Sequence, residues 1–125
     1  MKKTILFFAL LLVILSSCSG SDTYQGTWKA TNSEAEKFEI VFTPKEFSLK
    51  DAGGKIAKYS YSQNSVKYEN STKKYGIKLD DGRIYEVFFP TDDEATAILK
   101  DQNQTPLFVM NRKDYISLED VYKLN

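Results

Sequence analysis

Tyr75-Gly76-Ile77-Lys78-Leu79-Asp80-Asp81-Gly82-Arg83-Ile84-Tyr85-Glu86-Val87-Phe88-Phe89 is the stretch that decides the class of fold. Apolar side chains alternate before Asp80 and again after Arg83, with the period of two of a half-buried strand. Between the two runs stands Asp80-Asp81-Gly82-Arg83, a short polar turn containing glycine, so the stretch reads as a hairpin. Pro90 stops the second strand, because proline has no N–H to give a sheet ladder.

The same alternation continues in both directions. Upstream, Phe38-Glu39-Ile40-Val41-Phe42 sets Phe38, Ile40 and Phe42 on one face, and Glu46-Phe47-Ser48-Leu49-Lys50 does so for Phe47 and Leu49. Asp51-Ala52-Gly53-Gly54-Lys55 is a second glycine turn. Ile56-Ala57-Lys58-Tyr59-Ser60-Tyr61 and Val66-Lys67-Tyr68 read as two further strands. Downstream, residues 95–100 and Leu107 to Asn111 complete the set. Turns recur about every eight to twelve residues, which predicts an all-β fold of about eight short strands, a small antiparallel meander barrel or a sandwich. Ser117-Leu118-Glu119-Asp120 departs from this pattern. A capping serine with an acid three residues on, followed by Leu118, Val121 and Tyr122 at helical spacing, predicts a short C-terminal helix over 117–124.

The first 17 residues have a different composition. Lys2 and Lys3 precede an apolar run from Ile5 to Leu15, which exits through Ser16-Ser17 to Cys18. That is the layout of a secretory signal peptide, and the run is shorter than the ~20 apolar residues of a membrane-spanning helix. Leu15-Ser16-Ser17-Cys18 resembles the lipobox of bacterial lipoproteins: an aliphatic residue, two small residues, then cysteine. The resemblance implies a diacylglycerol on the Cys18 thiol and cleavage between Ser17 and Cys18. It also implies a protein held on the exported side of a cell membrane or outer membrane. Cys18 is the one cysteine in the chain, so no disulfide forms within a molecule. The expected organisation is a signal peptide over 1–17, a lipidated N-terminus and flexible tether over 18–23, and a β-barrel-like domain over 24–125. Two or three acyl chains make a lasting anchor, since one alone holds only marginally.

Tyr24-Gln25-Gly26-Thr27-Trp28, at the start of the domain, resembles the opening Gly-x-Trp of lipocalin-like β-barrels. The resemblance implies that Trp28 closes one end of a barrel and that Arg112, just after the last strand, lies against it as a barrel-closing pair. Without the resemblance, Trp28 is a core residue of a first strand. The chain left after the signal peptide is about 108 residues, the 125 of the whole less 17, which fits a short barrel or half-open sheet better than a deep cup.

Composition excludes several chemistries. There is no histidine, which removes the commonest general base and transition-metal ligand, and every Ser-His-Asp or Cys-His arrangement. Asp80-Asp81 and Asp92-Asp93-Glu94 lack the spacing of a calcium loop, and Gly53-Gly54 is no phosphate-binding loop. Removing Lys2 and Lys3 leaves 15 Lys and Arg against 17 Asp and Glu, with signs interleaved, which offers nucleic acid no basic footprint. No enzyme activity, metal or cofactor is expected.

Tyrosines remain. Tyr59, Tyr61 and Tyr85 form a candidate contact surface, since tyrosine joins apolar area to a polar tip. The expected function is a non-enzymatic binding module at the cell envelope, for a protein or a small amphipathic ligand. The alternative is an immunity or inhibitor lipoprotein that neutralises a toxin, lytic enzyme or phage factor at the membrane. An apolar cavity of roughly 300 Å³ or more enclosed by the strands would favour the small ligand, and a filled barrel would favour a protein.

Overall fold

The computed structural model of the protein describes residues 21–123. The expected signal peptide, the cleavage position between Ser17 and Cys18, and Cys18 itself lie outside the described residues.

Eight strands follow one another in the order of the chain: β1 (Gly26–Thr31), β2 (Lys37–Phe42), β3 (Glu46–Asp51), β4 (Ile56–Glu69), β5 (Thr72–Leu79), β6 (Ile84–Phe89), β7 (Thr96–Asp101) and β8 (Pro106–Asn111). Each pairs antiparallel with the next, and β8 pairs back onto β1 through Lys29–Asn111, Ala30–Met110 and Thr31–Val109. The sheet thus closes on itself, and the fold is a small lipocalin-like meander barrel rather than a sandwich. Closure leaves β1 and β8 no free edge to seek another chain along these residues.

The two stretches Ile56–Tyr61 and Val66–Tyr68 are parts of one 14-residue strand, β4. Its first half pairs with β3, up to Glu46–Ser60, and its second half pairs with β5, from Tyr61–Leu79 onward. A register shift between Gln63 and Ser65 inserts a residue, and this bulge breaks the period of two that would have joined the halves in the sequence.

Four loops at one end share a single turn. In each, the first residue's N–H bonds the carbonyl four residues on, and the fourth residue's N–H returns to the first carbonyl. The pairs that close them are Asn32–Glu36, Asp51–Lys55, Leu79–Arg83 and Asp101–Thr105. The fourth position is left-handed in all four, at Ala35 (φ 63°), Gly54 (88°), Gly82 (96°) and Gln104 (67°). Asn32, Asp51 and Asp101 also accept two loop N–H groups each on Oδ1, the local bonding that suits these side chains to turns.

Inward-facing side chains fill the barrel. Tyr24, Trp28, Ile40, Phe42, Phe47, Tyr61, Tyr75, Ile77, Leu79, Val87, Phe89 and Leu99 are all buried in one cluster. A second, smaller cluster lies outside it. The helix α1 (Leu118–Lys123) sets Val121 against the outward faces of Ile98 and Val109, with Phe88, Ile116 and Leu118 around them. Ser117 caps this helix: its Oγ accepts from the Asp120 N–H at 3.2 Å, and the Asp120 carboxylate accepts from the Ser117 N–H at 3.0 Å. The covered face explains why β7 is apolar on both sides.

Candidate functional site

The barrel has two unlike ends. At the end where β1 begins, Trp28 is fully buried and its indole N–H donates to the Tyr24 carbonyl at 2.8 Å. Arg112 lies across it with the guanidinium carbon 3.6 Å from the ring centroid. Its Nη2 and Nη1 donate to the carbonyls of Thr23 and Thr27, at 3.0 and 3.1 Å. Burial lowers the Arg112 pKa from its ordinary value. Gly26 belongs to the same contact: a Cβ there would stand 3.2 Å from Arg112 Nη1 at a φ of +100°, so the close approach needs glycine.

Residues 21–23, expected as part of a flexible tether, pack against this end instead. The Ser21 N–H and the Tyr24 hydroxyl both donate to Gln63 Oε1 at 2.8 Å, and the Tyr75 hydroxyl donates to Thr23 Oγ1 at 3.3 Å. Ser21 and Thr23 are thus bonded to the barrel ahead of Tyr24, the expected start of the domain.

The tyrosines do not form an outer sheet face. Tyr61 is 5 % exposed, rests among Tyr24, Phe42 and Phe47, and donates its hydroxyl to the Thr43 carbonyl at 2.6 Å. It is a core residue and is removed from the candidate contact surface. The reason is the closure of the sheet: the face that carries Tyr59 and Tyr61 curls inward. Tyr59 and Tyr85 are half-buried near the opposite end of the barrel, the end of the four like turns, and Tyr59 packs on Phe47.

Arg83 joins Tyr59 and Tyr85. Its guanidinium lies 5.2 Å from the Tyr59 ring centroid and 5.7 Å from that of Tyr85, and its Nη1 donates to the Tyr85 hydroxyl at 3.0 Å. Asp81, across the same turn, holds it through Nε at 2.9 Å and Nη2 at 2.8 Å. The hydrogen bonds from Arg83 lower the Asp81 pKa, and that carboxylate in turn raises the Arg83 pKa. About half of each side chain stays open to solvent, so the ion pair presents itself at the mouth rather than being consumed inside. Sequence reading placed Arg83 only in a turn. The available signal was its spacing: two residues before Tyr85, it starts on the same face.

Under Arg83 a cavity of about 70 Å³ is lined by Leu49, Tyr59, Leu79, Tyr85 and Phe108 among others. Beside it an open cleft of about 550 Å³ runs between the β5–β6 and β7–β8 loops, past Asp81, Arg83, Ile84, Asp101 and Asn103. Ile84 is exposed there. The arrangement is a shallow surface of aromatic, aliphatic and paired charged groups, the kinds of side chain that anchor protein interfaces. Among the described residues, no three Cys, Asp or Glu side chains are grouped to hold a metal ion.

No protein-family model matches the chain, and no curated protein shows significant similarity to it. What the geometry defines is a small lipocalin-like barrel, plugged at one end by Trp28 and Arg112 and bearing an Arg-Tyr cluster at the other.

Proposed function

We propose that this chain is a lipid-anchored, non-enzymatic binding module of a bacterial cell envelope, and that its partner is a protein. One observation carries the choice of partner: the barrel is filled by its own side chains, the cavity beneath its mouth holds about 70 Å³, and the larger spaces, of about 550 and 360 Å³, are open clefts on the outer surface. A site for a small amphipathic ligand needs roughly 300 Å³ or more. A protein partner needs only a surface, and the Arg83–Tyr85 mouth with its adjoining cleft offers one. The lipobox-like Leu15-Ser16-Ser17-Cys18 supports the anchor and the exported location. An immunity or inhibitor role against a toxin, lytic enzyme or phage factor falls within the same reading, because such a role also needs a surface and no pocket.

Crosslinking of the lipidated chain in its own membrane, followed by mass spectrometry of proteins and lipids together, tests the proposal. One protein should be enriched with the wild type, and Arg83→Ala should weaken its capture about tenfold or more, as loss of an interface arginine does. A small molecule that co-purifies without any protein would overturn the protein-partner reading.

A further inference from the structure

The second half of β4 and the start of β5 form a hairpin with one open edge, since β5 stays paired with β6 from Lys73–Phe89 onward while β4 has left β3. Beyond Ser60, β4 pairs with β5 alone, ending at Glu69–Thr72. Val66 and Tyr68 project from the same face of this hairpin, and they are 46 % and 64 % exposed. Tyr68 packs edge-on against Tyr75 at 6.4 Å, and Tyr75 bonds Thr23. The hairpin therefore stands at the plugged end, beside the point where the described chain begins.

Chain length then limits what can cover it. Ser21 is bonded to Gln63. Two residues, Ser19 and Gly20, stand between it and Cys18, and the three residue steps span no more than about 11 Å fully extended. A lipid on Cys18 would bring the bilayer surface against this end of the barrel, with the hairpin the nearest exposed apolar element. Lys67, Lys73 and Lys74 flank Val66 and Tyr68, against Glu69 within the hairpin and Glu94 across from Lys73. The two ion pairs leave one net positive charge among these groups, that of Lys74, while Asp92 and Asp93 stand in the loop that carries Glu94. Tyrosine and lysine are the side chains suited to the headgroup level of a membrane, where a ring sits in apolar contact and its tip stays wet.

We propose that the β4–β5 hairpin is a second membrane contact. Val66 and Tyr68 enter the headgroup region from one face of the hairpin, Lys67 and Lys74 reach lipid phosphates from its other face, and the Arg83 mouth is thereby turned away from the bilayer. The inference rests on the lipid anchor at Cys18.

The test uses the full lipidated chain in vesicles of phosphatidylethanolamine and phosphatidylglycerol with brominated acyl chains. Trp28 is fully buried, so a new tryptophan can be read by difference. Tyr68→Trp should lose about half or more of its added emission, as an interfacial ring does. Ile56→Trp, exposed at the opposite end of the same strand, should keep its emission. Val66→Trp provides a second reporter on the hairpin. If mass spectrometry finds lipid on Cys18 yet neither hairpin tryptophan is quenched, the membrane contact is overturned and the anchor stands. Equal quenching at positions 56 and 68 also overturns it, since the barrel then has no fixed orientation. A crosslinked dimer through the β4 edge without quenching assigns the face to a second copy instead. Absence of lipid on Cys18 removes the anchor and the contact together.

Discussion

Arg112 stacks 3.6 Å from the centroid of the Trp28 indole while its two terminal nitrogens hold the Thr23 and Thr27 carbonyls. One side chain thus covers the ring and latches the N-terminal segment to β1. A charged donor bonded to a carbonyl contributes about 1.5–3 kcal/mol, and cation–π stacking about 0.5–2 kcal/mol. Arg112→Ala should therefore destabilise the domain by about 2–4 kcal/mol, since the contributions overlap. Arg112→Lys should recover less than half, because lysine lacks the planar fork. Thermal unfolding of the three chains by circular dichroism measures this; a loss under about 0.5 kcal/mol for the alanine variant would show that the latch adds nothing.

The turn Asp101-Gln102-Asn103-Gln104-Thr105 stores strain that two of its three counterparts avoid. Gln104 is left-handed at φ 67°, where Gly54 and Gly82 stand in two of the matching turns. A side chain in that region costs about 1–2 kcal/mol, and glycine gives back about 0.5–1 kcal/mol in unfolded-state entropy. Gln104→Gly should raise stability by about 0.5–1 kcal/mol, and Gly82→Ala should lower it by a similar amount. Urea midpoints decide the matter. A destabilised Gln104→Gly variant would mean that the side chain makes a compensating contact.

Tyr61 makes the fold sensitive to alkali. Burial first, and then the neighbouring Tyr24, raise its pKa far above the ordinary value near 10.0. The folded chain keeps this proton where the unfolded chain releases it, so stability from Tyr61 is fully present below about pH 10 and declines as pH rises further. Tyr24 shifts in the same direction, again through burial. The urea midpoint should hold between about pH 7 and 9 and fall steeply above about pH 10. Tyr61→Phe should shallow that fall, at the cost of its hydrogen bond to Thr43 at lower pH. Equal alkaline slopes in the two proteins would assign the transition to other groups.

Cys18→Ala tests the anchor alone. The variant should leave the membrane fraction and incorporate no labelled fatty acid, while the thermal unfolding of the barrel is unchanged. Membrane fractionation identical to the wild type would rule the lipid anchor out.

Much of the barrel was legible because half-buried strands advertise themselves by alternation. Phe38 to Phe42, Glu46 to Lys50 and Ile84 to Phe89 each lie within a strand of nearly the same bounds. The helix was legible in its capping serine and acid. The joined strand β4 was not, because the bulge at Asn64 shifts the inward face by one residue. Tyr61 was misplaced for a different reason. Period two separates the faces of a strand, yet it does not say which face a closing sheet turns inward.

Local pattern and composition by themselves determined the all-β class, the turn positions, the lipobox-like start and the exclusion of histidine chemistry. These depend on spacing along the chain, which local backbone geometry reads directly. Only the tertiary structure decided that the sheet closes, that the barrel is full, and that Arg83 meets Tyr59 and Tyr85 while Tyr68 stands beside Ser21. Those outcomes depend on strand register and curvature, which bring together residues distant in sequence and set how much space their side chains leave.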